Sequence, residues 1–441
     1  MKRRVLICAV ALAVLCSGMV FASGEGETAA GPAKKVVLTY YVNANQQDDF
    51  VLAQEARFTA KYPNIVLDKR IVAEGASAPD AIAEFAAGTN PDWASAGLPT
   101  VTNFIYNGMC RPLDDYFAKW ADFKHLYKQT VENFNVGGKH YALQREGYAM
   151  VLCYNKSIFK NAGLQPPKTW DEYLQTAIKL TDQSKSQWGT NLLVSYWTEW
   201  WFEYFVWMAG GDLTKQNPDG TLKLTFTDPA VKKAVEFYRK MVAAKVIQPD
   251  LSLDYGQLQN QFSTGRAAMT LYGSDGNHNF VNQGMKPQDV GYALLPVGPG
   301  GKPVSQVGGA GYFIYPNISK DKADAAWAYI SFIASKEESD LALKNQGDKG
   351  GADPQVLIRD DLDISLGKIN PELQAVVDQA TKVGRLEFYG KGAVGSYVDQ
   401  ALRNCLANPN ADIIKEFQAQ QDLAKDALDK FNAAVLASKK K

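Results

Sequence analysis

The chain of 441 residues has little of what many enzyme sites are built from. Its three histidines are His125, His140 and His278, and none pairs in the H-E-x-x-H spacing of a zinc site. No C-x-x-C pair is present, so we expect no zinc. The Gly-x-Ser-x-Gly turn of hydrolases and the Lys-Ser/Thr end of a phosphate loop are missing too. We therefore predict no catalytic residue, no metal and no cofactor.

Net charge is also absent, because 47 basic residues balance 47 acidic ones. A nucleic-acid-binding or membrane-surface protein would carry a basic excess, so neither kind of partner is expected. Internal repeats are not visible either, which argues against an adhesin or another structural surface protein. We expect an ordinary globular protein that is large enough for two domains or two lobes, and a monomer.

The N-terminus has the pattern of an export signal, predicted over residues 1–22. Lys2 to Arg4 is basic, Val5 to Leu15 is apolar but too short to span a membrane, and Val20-Phe21-Ala22 fits a cleavage site. A lipid anchor at Cys16 is the alternative, although Leu15 is bulky where a small residue is expected. Residues 23–35 are rich in Gly, Glu, Ala and Pro and predict a flexible tether. The mature protein is therefore expected in the periplasm or outside the cell.

Few cysteines remain after the signal. Cys110, Cys153 and Cys405 are an odd number, so at most one disulfide can form within the chain. Buried free thiols are the simpler expectation.

The first part of the mature chain alternates strands and helices. Val36 to Val42 and Ile65 to Ile71 read as strands, while Ala53 to Tyr62 and Asp80 to Ala87 read as helices. This order predicts a parallel α/β sheet.

A strand, a polar turn and a helix start follow one another near the middle of the chain. Leu152 to Tyr154 is apolar, Asn155-Lys156-Ser157 is the turn, and Pro166-Pro167 precedes Thr169-Trp170-Asp171-Glu172. Thr169 with Glu172 three residues on predicts a capping box. This stretch resembles the middle of the extracellular solute-binding proteins of bacterial sugar ABC transporters. Further resemblances follow in family order, at Gly108 to Tyr116, Gly138 to Leu143, Gln261 to Met269, Val290 to Gly301 and Gly308 to Gly311.

The resemblance implies an α/β, two-lobed periplasmic-binding-protein fold (type II), with the ligand cleft between lobes joined by hinge crossings. We expect the N-terminal lobe over residues 36–146 and 293–335. The C-terminal lobe is expected over residues 147–292 and 336–441.

Candidate ligand-binding residues of the first lobe lie near strand ends. Asn43, Asn45 and Gln46 follow the first strand, where open α/β sheets bind ligands; turn chemistry would explain them equally well. Trp93 is either a packed wall or a ring that stacks on a ligand. Gly309, in the glycine run, lets backbone approach a ligand, or forms a bulge.

The second lobe carries the densest aromatic segment, Tyr196 to Trp207. At helical spacing the rings share one broad face, with Glu199 and Glu203 opposite. Later rings are expected to pack the core, while Trp197, Glu199 and Trp200 in the first turn are candidates for the cleft. An aromatic plane covers the C–H face of a sugar, and short polar side chains bind its hydroxyls.

Three further places complete the candidate site. Arg145 and Glu146 stand at the first crossing, where the family commonly has proline, and either bind ligand or bridge the lobes. Ser274 and Asp275 stand where the family often has a stacking tryptophan, which favours more hydrogen bonds at that wall. Tyr389 is a further candidate ring.

The function implied by the resemblance is capture of a carbohydrate, a mono- or oligosaccharide, and its delivery to the membrane permease of an ABC transporter. A receptor for glycerol phosphate or another small polar solute, with Arg145 as anion partner, is the alternative on the same fold. A secreted glycan-active enzyme is a different class, and it would need two carboxylates facing each other across the cleft.

Cleavage after Ala22 predicts a mature N-terminus at or near Ser23, because the short apolar run and the small residue at the cut are what signal peptidase requires. Mass spectrometry of the exported protein measures this directly. A diacylated Cys16 as the first residue would contradict it.

Overall fold

A computed structural model of the chain describes residues 34–43, 47–72, 78–144 and 147–438. The predicted signal peptide and nearly all of the predicted tether lie outside these residues. The strands are β1 (Val36–Asn43), β2 (Ile65–Val72), β3 (Trp93–Gly97), β4 (Asn135–Val136), β5 (Lys139–His140), β6 (Leu143–Gln144), β7 (Tyr148–Asn155), β8 (Thr214–Gln216), β9 (Leu222–Leu224), β10 (Met269–Gly273), β11 (Val290–Ala293), β12 (Ser305–Gly308), β13 (Ala310–Ile314) and β14 (Gly384–Arg385).

Helices cover both sheets. They are α1 (Asp49–Lys61), α2 (Ala78–Ala87), α3 (Leu98–Tyr106), α4 (Asp114–Phe117), α5 (Lys128–Glu132), α6 (Lys156–Asn161), α7 (Trp170–Leu180), α8 (Thr198–Met208), α9 (Pro229–Ala243), α10 (Tyr255–Ser263), α11 (Asn277–Asn282), α12 (Lys320–Ile333), α13 (Lys336–Asp348), α14 (Pro371–Lys382), α15 (Lys391–Ala407), α16 (Ile413–Leu423) and α17 (Lys425–Ser438). None of those in the described chain is both long and apolar enough to cross a bilayer.

The first sheet has the strand order β2-β1-β3-β13-β6. β1 runs parallel to β2 and β3, whereas β13 runs antiparallel to β3 and β6. Because α1 and α2 connect the three parallel strands, the predicted strand-helix-strand order is confirmed. Leu38 and Tyr40 of β1 pack with Phe58 of α1 and Ile330 of α12, and we call the part of the chain built on this sheet the first lobe.

The second sheet is built around β7 and carries the second lobe. β10 pairs with one edge of β7, and β11 and β12 share the other edge, all antiparallel. β14 then pairs in parallel with β12. The residues 149–153 of β7 are all fully buried, because helices cover both faces of this sheet.

The turn after β7 forms much as its sequence predicts. The Thr169 hydroxyl accepts a hydrogen bond from the Glu172 amide at 3.2 Å and so caps α7. The Glu172 carboxylate accepts from the Lys168 amide at 2.6 Å, not from the Thr169 amide of a full capping box. The three mature cysteines are buried free thiols, and burial raises the pKa of each.

Two crossings between the lobes are short. The chain leaves the first sheet at Gln144 and enters the second at Tyr148. It leaves the second sheet at Gly308 and re-enters the first at Ala310, so Gly309 alone makes the second crossing.

The predicted lobe boundaries need correction in two places. The return to the first lobe was predicted at residue 293, but β12 still pairs with β7, which puts the return at Gly309. Residues 336–348 were predicted in the second lobe, yet α13 packs on α1, and Glu338 accepts two hydrogen bonds from Arg57 at 2.8 and 2.6 Å. The chain is back in the second lobe at α14, where Glu372 pairs with Lys156 at 2.9 Å.

A third crossing runs between α13 and α14 and is fastened at both ends. In the second lobe, Asn277 Nδ2 donates to the Ala352 carbonyl at 2.8 Å. His278 Nδ1 lies 2.5 Å from the Asp353 carboxylate. Arg359, almost fully buried, bonds Asp122 of the first lobe at 3.0 Å. Burial alone would lower the pKa of His278, but Asp353, assisted by Asp275 and Asp48, raises it to about 8.

The His278–Asp353 contact should make stability depend on pH. A histidine whose pKa rises from 6.5 to about 8 on folding stabilises the folded state fully below pH 6.5, and this contribution is lost as pH rises through 8. We expect a loss of about 1–2 kcal/mol in the free energy of unfolding. Chemical denaturation between about pH 6 and pH 9 measures it. His278→Gln should remove this dependence, whereas His125→Gln should keep it; an unchanged slope in His278→Gln would contradict the assignment.

Candidate functional site

The residues that face the hinge come from the strand ends next to the crossings. β7 begins at Tyr148, which pairs with Gly308 at the end of β12. Gly273 at the end of β10 pairs with Met150. On the first-lobe side, the Leu98 amide at the start of α3 donates to the Gly309 carbonyl at 3.2 Å. We call this place, where three strand ends meet the start of α3, the hinge cleft.

An indole and a buried amide lie together beside the hinge cleft. The Trp200 Nε1–H of α8 donates to Gln306 Oε1 of β12 at 2.9 Å, and the Tyr204 hydroxyl donates to the same oxygen at 2.6 Å. Gln306 is 0% exposed, and its Nε2 has no hydrogen-bond partner within the described chain. Gln306 stands only two residues before Gly308, so this group belongs to the second crossing.

Next to the indole lies a buried group of charges that we call the α8–α15 cluster, made of Glu199, Glu203, Glu387, Lys391 and Asp399. Lys391 Nζ is 2.6 Å from Glu387 and 3.5 Å from Glu199. Glu203 Oε2 accepts from the Phe388 amide at 2.9 Å, and Asp399 Oδ1 accepts from the Glu199 amide at 2.5 Å. Glu199 Oε2 and Glu203 Oε1 are buried and have no hydrogen-bond partner in the part of the chain that the structure describes.

Burial sets the protonation of the α8–α15 cluster. Burial and the Glu387 charge raise the pKa of Glu203 well above its usual range, and burial and Glu199 do the same for Asp399. Burial alone would lower the pKa of Lys391, but Glu387, Glu199 and Glu203 raise it. The lysine therefore stays a cation, and the neutral acid is favoured at Glu203 and Asp399. The described residues of the site therefore carry no surplus of positive charge.

The cluster adds a feature that the helix prediction did not include. Glu199 and Glu203 were expected on a face opposite to the rings of α8, yet all residues of α8 are buried. Their face is covered by α15, whose Gly395 lies so close that a Cβ there would be 2.9 Å from Glu199 Cγ. α15 also reaches the first lobe, since the Asn103 amide of α3 donates to the Gly392 carbonyl at 3.3 Å.

Aromatic rings form a second wall of the hinge cleft. Tyr255 stacks on Tyr272 with centroids 4.6 Å apart and packs edge-on against Trp200 at 5.6 Å. Trp197, partly buried, lies before the first turn of α8 with φ of +50° and packs edge-on against Tyr196 at 5.0 Å. The wall thus combines the start of α8, the start of α10 and the end of β10.

The structure brings part of the predicted set to this place. Trp197, Glu199, Trp200 and Gly309 lie at the hinge cleft, as do Ser274 and Asp275 directly after β10. The Ser274 hydroxyl is fully buried and accepts from the Ala149 amide at 3.2 Å, so it braces β7. Asp275 is half-buried, and its charge helps to raise the pKa of buried Tyr255 and Tyr292.

Other predicted residues lie elsewhere or outside the described chain. Trp93 is 5% exposed in the first-lobe core, stacked on Tyr40 at 5.0 Å. Tyr389 packs edge-on against Phe431 at 5.4 Å and lines a cavity of about 430 Å³ together with Glu387. Asn43 is the last residue of β1. Four residues lie outside the described chain and stay predictions: Asn45, Gln46, Arg145 and Glu146.

Sequence reasoning missed Gln306, Glu387 and Lys391. Gln306 could have been found, because it precedes the glycine run of the second crossing by two residues. No local pattern points to Glu387 and Lys391, since they meet α8 only after more than 180 residues of intervening chain.

One group of possible metal ligands occurs within the described chain. Ligand atoms of His125, Asp360 and Asp361 lie within 4.8 Å of one another. The Asp361 carboxylate, however, accepts two hydrogen bonds from Arg359 at 2.6 and 2.9 Å. This pairing occupies the carboxylate, so the group is an ion-pair cluster at the third crossing.

The lysine of the α8–α15 cluster should be essential for stability. Lys391→Met leaves buried carboxylates without a cation and should lower the free energy of unfolding by about 3–5 kcal/mol at neutral pH. Because protonation neutralises those carboxylates, the loss should shrink on acidification, which denaturation at several pH values measures. Lys185→Met, which removes an exposed pair with Asp182, is the control and should change little. A loss independent of pH would contradict this electrostatic account.

Comparison of sequences places the chain among known binding proteins. The family model for bacterial extracellular solute-binding proteins matches residues 43–340. A putative binding protein of Brucella abortus is 26% identical over 341 residues, which are 76% of this chain and 79% of the relative. An uncharacterized ABC transporter extracellular-binding protein of Pyrococcus horikoshii is 25% identical over 450 residues, covering 97% of this chain and 94% of that protein.

Solved structures share the fold. A Thermotoga lettingae ABC transporter solute-binding protein bound to α-D-tagatose has a TM-score of 0.74 at 22% identity, over 89% of this chain and 99% of that one. UgpB of Mycobacterium tuberculosis in complex with glycerophosphocholine has a TM-score of 0.72 at 20% identity, over 90% and 99%. Likeness at this identity shows the fold alone, and the predicted two-lobed α/β fold is thereby confirmed.

Proposed function

The chain belongs to the bacterial extracellular solute-binding proteins, which serve ABC transporters outside the cytoplasmic membrane, and we propose that it captures a neutral carbohydrate in the hinge cleft. The observation that carries the proposal is the pairing of an indole with buried polar atoms that have no partner within the described part of the chain. Trp200 supplies an apolar plane, while Gln306 Nε2 and Glu199 Oε2 supply a donor and an acceptor. A sugar ring offers complementary groups, C–H faces and hydroxyls.

Lobe closure is the proposed mechanism. Glu387 of the second lobe lies close to the first lobe, because a Cβ at Gly97 would be 3.8 Å from its Oε1. A ligand that contacts both sides of the hinge cleft interacts fully only when the lobes are closed. It therefore shifts the open–closed equilibrium by its differential affinity for the closed state. The closed form is then what the permease of the transporter recognises.

The charges near the hinge cleft favour a neutral ligand over an anion. Lys391 is already shared between two carboxylates, and Arg385 is paired with Asp212. A phosphate in the described part of the cleft would lie near the carboxylates of Glu199 and Glu387, with no unpaired cation beside it. Charges of the same sign repel each other at close range. Binding of glycerol phosphate would therefore depend on Arg145 at the first crossing. Such binding is the alternative outcome of the test that follows.

Ligand class can be decided by a thermal-shift and calorimetry panel. We expect at least one of tagatose, glucose, galactose, mannose, maltose or ribitol to raise the unfolding temperature and to bind with weak salt dependence, because a neutral solute releases few ions. Glycerol 3-phosphate should not bind. Tight, salt-sensitive binding of glycerol 3-phosphate that Arg145→Ala abolishes would overturn the neutral-carbohydrate proposal. Chemical conversion of a sugar that survives repurification would indicate an enzyme instead.

The contribution of the Trp200 indole to ligand binding can be measured separately from the contribution of α8 to core packing. Trp200→Ala should weaken binding of the panel's best sugar by about 1–3 kcal/mol, because it removes the ring and the hydrogen bond that orients Gln306. Phe205→Ala, one turn further along α8, empties a core site against Phe237 and Tyr238 and should lower the free energy of unfolding by about 3–5 kcal/mol. Isothermal calorimetry should show that the Phe205→Ala variant binds the same sugar with unchanged affinity. Equal affinity in Trp200→Ala and the wild type would remove α8 from the site.

A further inference from the structure

Gln306 is held in one orientation by two donors on the same oxygen. Its Oε1 accepts from Trp200 Nε1 at 2.9 Å and from the Tyr204 hydroxyl at 2.6 Å. An indole N–H can only donate, so the end of the amide that faces Trp200 must be the oxygen. The amide nitrogen therefore points the other way, with two hydrogens to donate.

The nitrogen of this amide is buried at the second crossing and lacks an acceptor. Gln306 is 0% exposed, and Nε2 has no hydrogen-bond partner among the residues that the structure describes. A Cβ at Gly308 would lie 3.1 Å from Nε2 and 2.6 Å from the Tyr148 hydroxyl, so the amide nitrogen lies beside the strand ends where both short crossings begin or end. Buried donors are almost always satisfied in native proteins. An acceptor supplied from outside the chain would satisfy this one.

A buried atom without a partner is not enough by itself to mark a binding residue. Gln259 Nε2 is likewise buried without a partner among the described residues, but Gln259 lies in the middle of helix α10 and not on a strand that leads into a crossing. Gln306 differs in two respects: its orientation is locked, and it lies at the hinge cleft.

We propose that Gln306 contacts the ligand and determines specificity, its Nε2 donating a hydrogen bond to an acceptor oxygen of a bound polyhydroxylated solute. The inference rests on the proposed function. Trp200 and Tyr204 act on the ligand through Gln306, since they prevent the amide from turning its oxygen toward the cleft. A ligand whose group at this place has no lone pair, such as a protonated amine, would be rejected.

Gln306→Glu tests this directly, because the carboxylate that the Trp200 and Tyr204 donors favour keeps the shape and the accepting oxygen but removes the donor. Titration calorimetry with tagatose, glucose, galactose, mannose, maltose and ribitol should show the strongest wild-type binder weakened by about 10- to 100-fold. Gln259→Glu makes the same chemical change at a second amide whose nitrogen has no partner in the described chain, and it should alter affinity by less than about 2-fold. Comparable affinity in Gln306→Glu and the wild type would overturn the inference and leave the proposed function standing. Failure of the wild type to bind any of these probes would overturn both.

A second variant decides the matter if Gln306→Glu does not fold. Tyr204→Phe leaves Gln306 in place but removes one of the two donors that lock it, so the same probe should bind about 3- to 10-fold more weakly. Tyr238→Phe removes the hydroxyl of another fully buried tyrosine, one without a hydrogen-bond partner, and it should leave affinity unchanged. Equal affinities in the two tyrosine variants would mean that the orientation of Gln306 does not matter to the ligand, and the inference would fail.

Discussion

The architecture depends on a constraint that falls on a single residue, Gly309. β12 lies between β7 and β14 in the second sheet and β13 lies between β3 and β6 in the first, and only Gly309 separates them. Because backbone groups inside a sheet must be paired, neither strand can shift along its neighbours without breaking its ladder. The two sheets are therefore tied together at the point where Gly309 also accepts the hydrogen bond from Leu98. The residues just before Gly309 therefore lie next to the crossing between the lobes.

Charge buried behind α8 is the second organising feature. Removing several carboxylates and a lysine from water is unfavourable, and the attraction to Lys391 offsets this only in part. Protonation of Glu203 and Asp399 reduces the remaining imbalance. The cluster joins α8 to α15, and α15 in turn touches α3 of the first lobe. The cluster therefore links α8, which forms a wall of the hinge cleft, to α15, which contacts the first lobe.

Local signals allowed much of the fold to be predicted from sequence. The cap at Thr169 and the strand-helix order of residues 36–87 depend on residues close in the chain, and the structure confirms them. The lobe boundaries could not be found in this way. Whether β12 pairs with β7 or with a first-lobe strand is decided by partners more than 150 residues away. Sequence periodicity carries no information about that choice.

The candidate site likewise has one part that local sequence signals predict and another part that only tertiary contacts reveal. Trp200 was predicted because aromatic residues crowd its own segment, whereas Gln306 has no unusual neighbours apart from the glycines that follow it. What makes Gln306 notable is that two donors from α8 occupy its oxygen, a property of tertiary contact alone. Specificity for a solute arises from such differences between donors and acceptors that are satisfied within the protein and those left for the ligand. It follows that family membership can be read from the chain, while the choice of ligand is set by a few contacts that form only when α8 and β12 meet.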